Sequence, residues 1–278
     1  MAPFNSAELP WVIVGYGRVG QALALLADDL DATIRATWNR SKAASQQAVV
    51  PSPATCYGPL PDALKSRLED PCLIWLTVVD DAIAEVFDEL VDSIGTGCLV
   101  VHTSGSLAST ELDAPPHIST ASLHPLQAIS DPRAAVERFS DSFWSVEGES
   151  SAVEYLEEML RPAHISPIRI DSEKKVLYHA AAASAANLLV SLLDAAIAIA
   201  EGADIEADTA REMLTELAES SLENLASNRP AKALTGPAAR GDLEVIERHR
   251  QALASCDDGS LLEIYDILTR RALDGLAD

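Results

Sequence analysis

The hexapeptide Gly15-Tyr16-Gly17-Arg18-Val19-Gly20 constrains this chain more than any other stretch. It follows a short apolar run, Trp11–Val14, and leads into a helix-patterned segment reaching Leu26. G-x-G-x-x-G between a strand and a helix start is the setting in which that pattern carries meaning. Gly15 permits the tight turn, Gly17 lets a pyrophosphate approach the backbone, and Gly20 lets the helix pack on the strand. The helix N-terminus adds free N–H groups and a partial positive charge facing the phosphates. Tyr16, Arg18 and Val19 fill the other positions of this candidate dinucleotide site. The competing reading is a glycine-rich turn that binds nothing.

The next strand-like segment, Ala32–Thr37, runs into Trp38-Asn39-Arg40-Ser41. In NAD sites a carboxylate about 20 residues on accepts from the ribose 2′-OH. No Asp or Glu stands here. Asn39, Arg40 and Ser41 instead offer a guanidinium and two neutral polar side chains, which suit a 2′-phosphate. NADP is therefore expected rather than NAD, with an exposed Arg in a turn as the alternative.

Pro51–Pro61 reads as a proline-rich connector and Ala63–Leu68 as a short helix. Cys72–Val79 is almost continuously apolar, as befits a parallel strand covered on both faces. Asp80 and Asp81 open the next helix and read as its caps. Further strands are expected at Gly97–Val101, Ile118–Leu123, Ser142–Val146 and Ile165–Ile170, with a helix at Ser151–Leu160. From Ser172 the pattern turns wholly helical. Ser172–Ala203 (capped by Ser172), Asp208–Asn228, Asp242–Ser255 and Ser260–Leu273 follow one another. The expectation is a mostly parallel, doubly wound α/β domain over residues 1–171 and an all-helical domain over 172–278.

Three constellations carry the candidate chemistry. On the first helix of the second half, Lys175, His179, Ala183 and Asn187 share a drifting stripe among alanines. His179 or Lys175 would pass a proton to a carbonyl oxygen, and Asn187 would orient that carbonyl. At a strand end, Pro125 holds Leu123-His124 extended and aims the imidazole outward, where it suits acid–base work. Ser104, with His102 beside it, ends the adjacent strand and is positioned for a nicotinamide or a substrate hydroxyl. Arg240, in the turn Leu234–Asp242, suits a substrate carboxylate, while Asp242 reads as a helix cap. For each residue the alternative is a structural role: a satisfied histidine, an interhelical amide, an exposed turn arginine.

The formal net charge of −23 over 278 residues, with no basic cluster, argues against nucleic acid. The opening MAPFNSAELP lacks the layout of a signal peptide. Ala180–Ala200 is long enough to span a bilayer. It carries Asn187, Ser191 and Asp194, however, and an Asp near the centre costs about 2.5–3.5 kcal/mol. A buried helix of a soluble, cytoplasmic protein is the expectation. Cys72 and Cys98 open apolar runs and read as buried free thiols. His117, His124, His164, His179 and His249 lack metal-ligand spacings, so no metal is expected.

VIVGYGRVGQAL, VHTSGSL, SLHPLQAI, YHAAAASAANLL and LTGPAARGD, in that order, resemble Rossmann-like proteins whose C-terminal half is a domain of unknown function. These are described as NADP- or deazaflavin-dependent oxidoreductases. More distantly, the plan is similar to β-hydroxyacid dehydrogenases, 6-phosphogluconate dehydrogenase, ketopantoate reductase and pyrroline-carboxylate reductase. The resemblance implies a C-terminal domain of the 6-phosphogluconate dehydrogenase type that carries substrate residues and builds a homodimer. β-Hydroxyacid dehydrogenases place a catalytic Lys four residues before an Asn. Here Asn187 matches the Asn, but Ala183 stands at the Lys position, so His179 or Lys175 would have to fill that role. The implied activity is hydride transfer between NADP and a small keto or hydroxy acid such as a ketopantoate-like compound. The alternatives are an imine- or deazaflavin-linked reductase and a non-catalytic dinucleotide sensor or scaffold.

Overall fold

The apolar runs form the centre of a single sheet because each strand is covered on both faces. In the computed structural model, residues 9–52, 55–256 and 259–275 are described, apart from the side chains of residues 44 and 45. Residues 1–8, most of the segment read as lacking a signal peptide, lie outside the described residues, as do 53–54 of the expected connector.

The strands are β1 (Trp11–Val14), β2 (Ile34–Asn39), β3 (Thr55–Tyr57), β4 (Leu73–Leu76), β5 (Leu99–His102), β6 (Ser119–Pro125), β7 (Trp144–Gly148) and β8 (Ile168–Arg169). They lie in the order β3-β2-β1-β4-β5-β6-β7-β8. β6 and β7 run antiparallel, and the other neighbours run parallel. Alternation along each strand divides the core in two. Trp11, Ile13, Leu73, Trp75, Leu99 and Val101 face one layer, and Val12, Val14, Ile74, Leu76 and Val100 face the other. Trp11 and Trp75 meet with ring centroids 5.1 Å apart.

Four expectations need correction. The Pro51–Pro61 connector contains β3, whose three residues are too short to stand out between prolines. β6 extends through His124 and Pro125, because the antiparallel ladder with β7 continues the pairing past the end of β5. The expected Ser172–Ala203 helix is a 3₁₀ turn, Ser172–Lys174, then helices Lys175–Ala185 and Asn187–Glu201, broken at Ala186. Its cap is Asp171, whose carboxylate accepts from the Glu173 N–H at 3.0 Å, and not Ser172.

The contacts divide the chain into two compact units, Met1–Ala182 and Ala183–Asp278. The first therefore runs past Asp171, because Lys175 is buried among the strand ends. The second is helical: Asn187–Glu201, Ala207–Ser227, Leu243–Leu253 and Ser260–Leu273, with short helices Pro230–Ala233 and Gly236–Arg240. Its core cluster is small, with Ala195, Leu253 and Leu261 buried. The stretch Ser172–Glu201 is long and apolar enough to cross a membrane, and little of it is buried within the chain. The expected buried helix is thus not realised in one copy: Val176, Leu177, Leu188 and Val190 are all more than half exposed.

The glycine turn shows why its spacing matters. Gly15 has φ +97°, and a Cβ on Gly20 would lie 2.5 Å from the Gly15 carbonyl oxygen, whereas one on Gly17 would meet nothing within 4 Å. Gly20→Ala is therefore expected to cost about 1–3 kcal/mol, seen as a lower midpoint in denaturant, since backbone must give way. Gly17→Ala should leave that midpoint within about 0.5 kcal/mol.

Candidate active site

Parallel strands deliver their C-terminal ends, and the loops that follow, to one edge of the sheet, where ligands of open α/β sheets collect. The glycine turn comes first along that edge. Gly17 caps the helix Arg18–Asp29, whose first turn carries no acidic residue. Asn39 is buried, and its Oδ1 accepts from the Tyr16 N–H at 3.0 Å, which shapes the turn. Arg40 and Ser41 lie exposed beyond β2. Lys42 was not singled out from the sequence; its ammonium sits 5.9 Å from the ring centre of half-exposed Tyr57 at the end of β3.

The loop after β5 is tied down by its own hydroxyls. Ser104 donates to Asp80 Oδ2 at 2.7 Å and Ser106 donates to the same oxygen at 2.9 Å. The Leu107 N–H donates to Ser104 Oγ at 3.0 Å. Ser104 is thus a buried strut rather than an open ligand group, and Asp80 anchors this loop instead of capping a helix. A short hydroxyl-rich loop on the neighbouring strand is a pairing that sequence distance conceals.

Lys175 is 1 % exposed. Its ammonium donates to the Ser104 carbonyl at 3.1 Å and to Ser122 Oγ, and it pairs with Glu147 Oε1 at 3.4 Å. Glu147 also accepts from the Ser109 N–H at 2.7 Å and the Ser109 hydroxyl at 2.8 Å. Burial pulls the Lys175 pKa below its usual value, with Glu147 opposing. The Lys175 ammonium, expected at the substrate, is engaged by groups of β6 and β7 and of the loop after β5.

One turn further along the same helix, Tyr178 and His179 meet His124 of β6. The Tyr178 hydroxyl lies 3.1 Å from His124 Nδ1. The two imidazoles stand edge to face with centroids 6.0 Å apart. Buried His179 Nδ1 has no hydrogen-bond partner among the described residues. Both histidines aim a nitrogen at Gly105, where a Cβ would lie 2.6 Å from His179 Nδ1 and 2.9 Å from His124 Nε2. Gly105 is the residue missed in the sequence: any side chain there would strike both ring nitrogens.

Burial, then the His179 and Lys175 charges, hold the His124 pKa at about 4, against Asp80. Burial and Lys175 bring His102 to about 4 as well. His102 is fully buried, and its Nδ1 accepts from the Ser104 N–H at 3.3 Å. The remaining two candidates belong to the helical unit. Asn187 is the exposed first residue of its helix, beyond the break at Ala186, so the stripe from Lys175 does not run unbroken to it. Arg240 is exposed in the last turn of Gly236–Arg240, and Asp242 caps the next helix by accepting from the Val245 N–H at 3.3 Å.

The sheet order with a glycine turn after β1 defines a Rossmann-type fold. Residues 2–125 match the model of a Rossmann-like domain, and residues 142–272 match that of a domain of unknown function, DUF2520. The chain joins these two domains, in agreement with the resemblance read from its motifs. Among curated proteins none matches it. Solved structures share the fold at low identity. A candidate NADP oxidoreductase from Bacteroides fragilis is 21% identical, with a TM-score of 0.75 over 96% of this chain and 98% of that one. Protein TM1727 from Thermotoga maritima is 22% identical, with a TM-score of 0.71 over 95% and 98%. A reductive aminase from Aspergillus terreus, in complex with NADPH and ethyl levulinate, is 17% identical, with a TM-score of 0.64 over 98% and 97%.

Two consequences are measurable. Lys175→Met would leave the Glu147 carboxylate buried without its cation, and is expected to cost about 3–5 kcal/mol in denaturant unfolding. His102 and His124 bind protons more weakly folded than unfolded. The unfolded state therefore holds more protons between pH 6.5 and about 4, and stability falls as pH drops through that window. Each histidine should contribute a slope of up to about 1.4 kcal/mol per pH unit, and His124→Gln should remove one share.

Proposed function

We propose that this chain is an NADPH-dependent oxidoreductase that reduces the carbonyl of a small keto acid, a ketopantoate-like compound being the candidate substrate. The convergence of His124 Nε2 and His179 Nδ1 over Gly105, on the sheet edge that carries the glycine turn, is the observation that carries the reading. The open space above Gly17 and the helix start without an acidic residue suit a pyrophosphate. Arg40, Ser41 and Lys42 suit the 2′-phosphate, and Tyr16, Arg18 and Val19 line the turn. NADPH, when bound, supplies the hydride. The chain's own residues do the rest: in the first unit His124 or His179 delivers the proton, and Ser104 and Asp80 hold the loop after β5; in the second unit, taken by itself, Asn187 offers an amide for a carbonyl and Arg240 a guanidinium for a carboxylate.

The division at 171/172, with the helical part serving substrate binding and dimerisation, completes the reading. The helical unit leaves Leu188, Val190 and Leu217 more than half exposed, and a second copy would cover them. A cytoplasmic homodimer is thus proposed, with the charge of −23 weighing against a nucleic-acid partner. Sedimentation should give about twice the 29.6 kDa of one chain, and Val190→Glu should shift it toward one. Sedimentation of the unsubstituted protein as a single chain would remove the dimer.

Imine reduction is the second reading. A histidine held at about 4 is uncharged at neutral pH, and an iminium nitrogen needs no proton from it. Titration with NADPH and NADH, then a panel of 2-keto acids and cyclic imines, separates these readings. NADPH is expected to bind at least tenfold more tightly than NADH. Arg40→Glu should reverse that preference, and Gly17→Ala should weaken both nucleotides. Tight NADPH binding without turnover, indifferent to His124→Ala and His179→Ala, would favour a sensor; no binding of either nucleotide at micromolar levels would end the proposal.

A further inference from the structure

The reductase reading leaves open which histidine delivers the proton and how an uncharged imidazole does so. The answer lies in a residue with no part in it so far, Tyr178. Its hydroxyl is 3.1 Å from His124 Nδ1, the nitrogen turned away from Gly105. The ring is half-buried, and burial, against Ser145, raises the phenol pKa, so Tyr178 keeps its proton; a phenol O–H is a stronger donor than an imidazole N–H, and an imidazole nitrogen a stronger acceptor than a phenol oxygen, which favours donation from Tyr178 to Nδ1. An imidazole that accepts at Nδ1 must carry its proton at Nε2 when neutral. His124 Nε2 is the nitrogen that faces Gly105, opposite the unpartnered Nδ1 of His179.

We propose that Tyr178 is a positioning residue that locks His124 in its Nε2–H tautomer, which makes His124 the proton donor. This rests on the reductase reading for its chemistry, but the tautomer itself does not. Reduced nicotinamide would supply the hydride, and the substrate carbonyl oxygen takes its proton from His124 Nε2. The bond from Nε2 to hydrogen breaks while the Tyr178 O–H proton passes to Nδ1. His124 stays neutral throughout, and the starting tautomer returns when the Nδ1 proton goes back to the Tyr178 oxygen as a solvent proton is taken up at Nε2. No imidazolium forms, in keeping with the burial of the ring beside Lys175, His179 and Asp80.

The test is a long-range proton–nitrogen NMR correlation on protein labelled with nitrogen-15 in histidine. His124 is assigned by its loss in His124→Gln, and no substrate or nucleotide is needed. His124 is expected to show an unprotonated, hydrogen-bonded Nδ1 and a protonated Nε2 at pH 7. Tyr178→Phe, which keeps the ring and its packing, should convert this into a mixture of tautomers. With NADPH and a turned-over keto acid, the same variant should lose about 10- to 100-fold in kcat, with KM for NADPH within twofold. A protonated Nδ1 in the unsubstituted protein, or an unchanged tautomer in Tyr178→Phe, overturns the inference. Failure of every substrate to turn over would instead sink the reductase reading, and the NMR result would still decide the tautomer.

Discussion

The Lys175 ammonium is the interaction on which the candidate site depends. A cation removed from water must be repaid by several partners at once, and here the repayment comes from three neighbouring strands. The Ser104 carbonyl belongs to the loop after β5, Ser122 to β6, and Glu147 to β7. Lys175 opens the helix that bears Tyr178 and His179. One buried charge thereby registers that helix against β6, whose His124 meets Tyr178, and against the loop whose Gly105 lies beneath both imidazoles. It also sets their electrostatics, since it disfavours a proton on His124 and His102.

The second constraint is lack of bulk. Gly15, Gly20 and Gly105 each stand where an added carbon would strike a neighbour, and Gly17 stands where it would strike nothing. Three of these positions let protein pack on protein, at Gly105 against two ring nitrogens. The fourth leaves the phosphate approach open. Tyr16 and Asn39 support the turn from below through one backbone hydrogen bond. That bond explains why the residue at the end of β2 is an amide facing inward, while the charged groups Arg40 and Lys42 come afterwards.

Much of the fold was legible because parallel strands buried on both faces leave unbroken apolar runs: Trp11–Val14, Leu73–Leu76 and Leu99–His102 all fall within segments recognisable from composition. β3 was not, because a three-residue edge strand beside prolines leaves no periodic trace. At the site, His124 and His179 were legible as candidate residues, and the structure sets their rings edge to face. The functions of Lys175, Ser104 and Asn39 were not, since the same side chains serve equally as ligands or as struts, and only their neighbours across the sheet decide. Gly105 was overlooked and Asp80 read as a helix cap for a related reason: one matters through the atoms it lacks, the other through hydroxyls 24 and 26 residues away. The helix at Ala180–Ala200 misled through its composition, which promises burial that one copy of the chain does not supply.

The proposed reduction requires that the substrate carbonyl reach His124 Nε2 near its meeting with His179. A crystal structure of the protein with NADPH tests it most directly. The pyrophosphate is expected against Gly17 and the start of the Arg18–Asp29 helix, the 2′-phosphate beside Arg40, and the nicotinamide C4 facing His124 Nε2. A nicotinamide ring directed away from Gly105, with the two histidines untouched, would contradict it.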